Sequence, residues 1–140
     1  SDLTPVIVEF RHERWLTMET MDLLRQLGAA FCIVDLPQVR QLPSSRIEAT
    51  APTAYVRFHG RNADKWAGPA TRNERYDYDY SDEELQEWVE PITNLEKYSD
   101  TTYVLFNNHY RGKAAKNAAM LQDMLKTPRP TAPTPSGAFL

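Results

Sequence analysis

Ala54-Tyr55-Val56-Arg57-Phe58-His59 reads as a β-strand, and Gly60 ends it. Side chains alternate along a strand, so Val56 and Phe58 share one face and Tyr55, Arg57 and His59 share the other. A strand covered by helices on both sides should be apolar on both. This one is apolar on one face and polar toward its carboxyl end. The pattern recurs outward. Val8 and Phe10 oppose Glu9 and Arg11, and Val104 and Phe106 oppose Tyr103 and Asn107. A further strand over residues 30–34, stopped by Asp35-Leu36-Pro37, is read as adding Asp35 to the polar face. A barrel lumen with its site at the strand carboxyl ends predicts this arrangement.

Helical segments separate the strands. Residues 17–27 place Met21, Leu24 and Leu27 on one face, with Gly28 at the position that ends a helix. Residues 38–53 are irregular, broken by Pro43 and Pro52. A long polar loop runs from Gly60 to Tyr80. Ser81 and Glu84 form a capping box, and Leu85, Trp88, Val89, Ile92 and Leu95 make an apolar stripe that Pro91 should kink or divide. A last helix over residues 112–126 should turn Ala114, Ala118, Leu121 and Leu125 inward. Strands alternating with helices give an α/β fold with a parallel sheet. The expectation is TIM-barrel-like (β/α) repeats over residues 1–126, then a flexible Pro/Thr-rich tail over 127–140. A closed (β/α)8 barrel needs about 250 residues, and 140 residues supply about half of one.

Composition narrows the function classes. The chain is 41% hydrophobic and 25% charged, ordinary for a globular protein. Its net charge of −3 argues against a broad non-specific grip on nucleic acid, though not against a local basic pocket. No stretch approaches the roughly 20 apolar residues of a membrane span. The single cysteine, Cys32, lies in the apolar run Phe31-Cys32-Ile33-Val34 and is read as a buried core thiol. A lone thiol fits a reducing compartment, so a cytoplasmic location is expected. The chain begins at Ser1 without an initiator Met, which is compatible with its being a piece of something longer.

Several motifs occur together: Val8-Glu9-Phe10-Arg11-His12 with Trp15 behind, Val34-Asp35 before Pro37, and Tyr55-Val56-Arg57-Phe58-His59-Gly60. Arg75-Tyr76-Asp77-Tyr78 precedes Glu84-Leu85, and Phe106-Asn107-Asn108 is followed by Gly112, Ala114 and Asn117-Ala118. Over residues 6–126 this set resembles the YecE-like proteins, the domain of unknown function 72 (DUF72). The resemblance implies a (β/α)8 barrel and makes these units its fifth to eighth. It implies no established activity.

Glu9, Asp35 and His59 are read as ending three different strands on one face. Such a set could do acid–base chemistry or hold a divalent metal. Arg11 and Arg57 on the same face would instead pair the carboxylates and disfavour a metal, so no metal or cofactor is expected. Arg11, Arg57, Arg61, Asn107 and Asn108 are candidate ligand-binding residues. In barrels the loops after strands seven and eight often hold phosphate, and here those loops carry His59-Gly60-Arg61-Asn62 and Asn107-Asn108-His109-Tyr110-Arg111-Gly112. Tyr76, Tyr78 and Tyr80 alternate with Asp77 and Asp79. They are read as rim cover with the aspartates in solvent. Trp15 and Trp66 are packing anchors or pocket walls, Trp88 is core, and Arg72, Arg75, Lys113 and Lys116 are solvated.

Three functions compete. The first is binding of a small anionic ligand, a phosphorylated sugar or nucleotide, with Glu9 and His59 as the acid–base pair of any enzyme. The second is nucleic-acid binding or cleavage with a metal on Glu9, Asp35 and His59, an argument from fold analogy. The third is a non-catalytic half-barrel whose open sheet edges are covered by a separate N-terminal half or by a second copy.

Overall fold

The computed structural model describes residues 4–126; the expected tail at 127–140 lies outside them. Four parallel strands form one sheet in the order β1-β2-β3-β4: β1 Ile7–Val8, β2 Ala30–Asp35, β3 Thr53–Phe58 and β4 Thr101–Phe106. Sequential neighbours that are all parallel require crossovers of one hand, which place the connecting helices on one side. The core confirms that placement. Phe31, Ile33, Val56 and Phe58 from the strands are buried with Met21, Leu24, Leu85, Trp88, Ile92 and Leu121 from the helices. Phe58 is fully buried and stacks on Phe106 with ring centroids 4.5 Å apart; burying such a side chain stabilises by about 2–3 kcal/mol.

The other face holds a smaller cluster of Cys32, Val34 and Leu36, with Tyr55 and Trp66 packed on it. Cys32 is buried and free, as its apolar run suggests. Burial, followed by the nearby Glu9 carboxylate, pushes its thiol well above the ordinary thiol range. That makes it a poor nucleophile at neutral pH.

Local signals explain the helices. α1 (Met18–Leu27) starts where the Thr17 hydroxyl accepts from the Thr20 N–H at 3.2 Å. It ends at Gly28, whose φ of 65° is left-handed. Met21 and Leu24 are buried, whereas Leu27, expected on the same face, is 69% exposed at the last turn. The stripe after Ser81 is divided into α4 (Asp82–Gln86) and α5 (Val89–Leu95). Pro91 has no N–H to give back to the preceding turn, so the division falls where proline dictates. The Ser81–Glu84 capping box is complete.

Two short helices, α2 (Ala63–Ala67) and α3 (Arg72–Arg75), interrupt the segment expected as a loop. The second is held by its own capping box, Thr71 with Glu74. The last helix, α6 (Lys113–Lys126), buries Asn117 and Leu121. Ala118, expected inward, is exposed: with Val104, Phe106, Leu121 and Leu125 it lines a groove beside the outer strand β4 that is open to solvent.

Candidate functional site

At the carboxyl end of the sheet, on the face opposite α1 and α4 to α6, Glu9, Arg57, His59 and Asn107 form one hydrogen-bonded group. The Arg57 guanidinium donates to Glu9 Oε2 at 2.6 Å. His59 Nε2 lies 3.0 Å from Glu9 Oε1, and its Nδ1 lies 3.2 Å from Asn107 Nδ2. An amide N–H can only donate, so Nδ1 accepts and a neutral ring carries its proton on Nε2, toward Glu9. The His59 side chain is 4% exposed and that of Glu9 is 23% exposed.

Burial, the largest single influence, pushes the Glu9 carboxyl up. His59 and Arg57 together outweigh it and hold the group at about 2. A carboxylate that ionised is a weak base at neutral pH and has no proton to give. Both nitrogens of His59 are already engaged. Glu9 is thus an ionised carboxylate at neutral pH, and His59 is oriented by a partner at each ring nitrogen.

Asp35 does not join this group. In the β2–β3 register it stands beside Phe58, on the helix-covered face. Its place on the polar face must be corrected: β2 continues through Asp35, and alternation puts Asp35 in phase with Phe31 and Ile33, which are buried under the helices. There Asp35 is 1% exposed. It accepts from Trp88 Nε1 at 2.6 Å, from the Tyr80 hydroxyl at 3.1 Å and from Arg61 Nη2 at 2.7 Å and Nε at 2.9 Å. Arg61 also reaches Glu84 and Glu87. These bonds, Asp35 first, raise its already high pKa further. The Tyr80 hydroxyl is pushed up as well, by burial first and the Asp35 charge second. A lateral cleft of about 560 Å³ adjoins Asp35, Arg61 and Trp88.

Glu9, Asp35 and His59 are thus split between two faces, and the metal set required by the nucleic-acid reading is not assembled from them. Among the described residues, no three His, Cys, Asp or Glu side chains are placed to hold a metal ion.

The loops after β3 and β4 spend their donors on the protein itself. The Gly60 N–H donates to the Tyr80 hydroxyl at 2.8 Å. A Cβ on Gly60 would lie 2.7 Å from Tyr78 Cβ, which explains the glycine. Asn108, fully buried, donates to the Tyr78 carbonyl and to Asn117 Oδ1, each at 2.8 Å. Asn117 in turn accepts from the Tyr80 N–H and donates to Asp79. Asp79 and Asp77, expected in solvent, pair with Lys116 and Lys113, which were expected to be solvated. The Tyr78 hydroxyl, pushed up to about 12 by burial and then by Glu84, donates to that carboxylate at 2.6 Å. Tyr76 is the exception among the three tyrosines: it packs beside His59, Trp66 and His109 at the site.

Two adjoining cavities open at this end. The inner one, about 80 Å³, is floored by Glu9 and His59 and walled by Phe10, Leu36, Leu42 and Trp66, with Arg11 at its edge. The outer one, about 400 Å³, shares Arg11, Leu42 and Trp66 and adds His12, Arg40 and Gln41. The Trp66 indole N–H is buried without a partner, a state that costs roughly 1–3 kcal/mol. His12 and Arg40 were missed as site residues because they lie on turns and loops, where strand alternation gives no signal, and Tyr76 was read only as rim cover.

A family model described as a protein of unknown function, DUF72, matches residues 1–138. The UPF0759 protein YunF of Bacillus subtilis strain 168 is 30% identical over 131 residues, covering 86% of this chain and 46% of that protein. Among solved structures, a DUF72 family protein of Thermotoga maritima MSB8 matches with a TM-score of 0.82 and 42% identity over 88% of this chain and 46% of that one. Another, from Enterococcus faecalis V583, matches with a TM-score of 0.82 and 26% identity over 92% of this chain and 50% of that one. The chain spans about half the length of these relatives.

Proposed function

The chain belongs to the DUF72 family, and on that premise we propose that it binds a small anionic ligand at the carboxyl ends of its strands. The observation that carries this reading is the pair of adjoining cavities over the Glu9–His59 floor, with the cationic Arg11 at their junction. Apolar walls with a few fixed polar groups are the usual make-up of a small-molecule site. Binding is favoured over acid–base catalysis because Glu9 is held at about 2 and both nitrogens of His59 are occupied. Arg57 supports the floor by pairing with Glu9, while Arg61 belongs to the Asp35 network on the other face. The accompanying fold proposal is that these are the last four units of a (β/α)8 barrel. The packing of α1 and α4 to α6 on one face and the strand order support it.

A thermal-shift screen of sugar phosphates, nucleotides and organic acids tests the reading. A hit should stabilise the chain, and Glu9→Gln, which keeps the shape of the floor and removes its charge, should change the affinity for that hit by about tenfold or more, a difference of about 1.4 kcal/mol. The reading fails if no anionic compound in the screen stabilises the chain.

A further inference from the structure

We infer that the cleft between Arg11, His12 and Arg40, with Trp66 on its wall, is the subsite for a phosphomonoester group. This rests on the ligand reading above and names the charged end of that ligand.

Charge is the first argument. Arg57 is matched by Glu9, and Arg61 by Asp35, Glu84 and Glu87. Arg11 and Arg40 line the outer cleft, and among the described residues neither makes an ion pair. No carboxylate lines that cleft. Two unmatched guanidiniums facing one space of about 400 Å³ leave a concentration of positive charge that an anion would offset.

The supply of donors points the same way. The Arg14 N–H donates to His12 Nδ1 at 3.1 Å. A neutral His12 ring therefore carries its proton on Nε2, with no partner there among the described residues. The Trp66 indole N–H is buried and unpartnered. Each guanidinium can offer paired N–H groups to an oxyanion. Three terminal phosphate oxygens suit donors from the three side chains of Arg11, His12 and Arg40 better than the two oxygens of a carboxylate.

The backbone holds the cleft together. Gln41 sits at φ 74°, a left-handed conformation uncommon for a residue with a side chain. Its carbonyl accepts from the Glu13 N–H at 3.1 Å, which ties the loop bearing Arg40 to the turn Glu13–Trp15 directly after Arg11 and His12. Strain of this kind persists where the surrounding structure enforces it, and such places cluster at ligand clamps. With phosphate in the outer cleft, the rest of the ligand would reach the inner cavity over Glu9 and His59.

The test is titration of the chain with inorganic phosphate at constant ionic strength, followed by tryptophan fluorescence and calorimetry. Arg11 and Arg40 are exposed, so Arg11→Ala and Arg40→Ala should fold normally, which circular dichroism checks. Wild type should bind phosphate saturably, each variant about tenfold more weakly, and the double variant not measurably. Trp66→Phe should diminish the fluorescence response while calorimetry still detects binding. Affinity unchanged in the double variant, or a response no different from that to chloride, overturns the subsite. If a phosphorylated hit stabilises wild type and the double variant equally, the subsite falls and the ligand reading stands. If nothing in the screen binds, both fall.

Discussion

Glu9 is held between opposing influences. Burial pushes its carboxyl up, while His59 and Arg57 bring it from 4.5 down to about 2. A folded value below the unfolded one stabilises the fold above pH 4.5, and that contribution is lost as the pH falls through 4.5 toward 2. The side chain is 23% exposed, so screening trims the effect to about 2 kcal/mol. Urea unfolding from neutral pH down to about pH 2.5 should show wild type losing that much more stability than Glu9→Gln. Parallel acid limbs would mean that the Glu9 charge is not coupled to folding. The prominence of this residue was legible in the sequence, since Glu9 and His59 alternate onto the polar face and do meet. Its strong acidity was not, because that depends on the distances to Arg57 and His59 and on burial.

Gly28 and Gly60 separate two reasons for glycine at the ends of elements. Both have positive φ, 65° and 93°. A Cβ at Gly28 would meet nothing within 4 Å, whereas one at Gly60 would lie 2.7 Å from Tyr78 Cβ. Gly28→Ala should therefore cost only the left-handed backbone, about 1 kcal/mol. Gly60→Ala must also move Tyr78, whose carbonyl is fixed by Asn108, and should cost about 3 kcal/mol. Chemical denaturation distinguishes the two; equal losses would mean that Tyr78 yields freely. Elements with strong periodicity or caps were readable: β3, β4, α1, and the division of α4 from α5 by Pro91. α2 and α3 are too short for an apolar stripe, although the Thr71–Glu74 capping box was a signal for α3. The face of Asp35 was legible too, since it alternates in phase with Phe31 and Ile33 once the strand continues through it. Asn117 reads as polar and lies inward because Tyr80 and Asp79 satisfy its amide.

At the scale of the whole molecule, the sheet has two outer strands. Among the described residues β1 pairs only with β2, and β4 only with β3. The six residues of β4 therefore present unpaired backbone along one side. On the face opposite α1 and α4 to α6, Tyr103 is 50% exposed and Leu105 38% exposed. A long edge strand with apolar side chains is a template for pairing, and proteins ordinarily cover or charge such edges. The chain also spans about half the length of the relatives it matches. We therefore propose that these edges pair with further sheet, supplied by an N-terminal half or by a second copy. For the chain alone the second copy is the available partner. Light scattering at tens of micromolar should give about twice the 16.1 kDa of one chain. Leu105→Lys places a charge on the edge strand, the device by which natural edges resist pairing. It should return the mass to that of one chain without loss of helical signal, because the core on the opposite face is untouched. A wild-type chain that stays single and soluble would mean that the edge of β4 needs no partner.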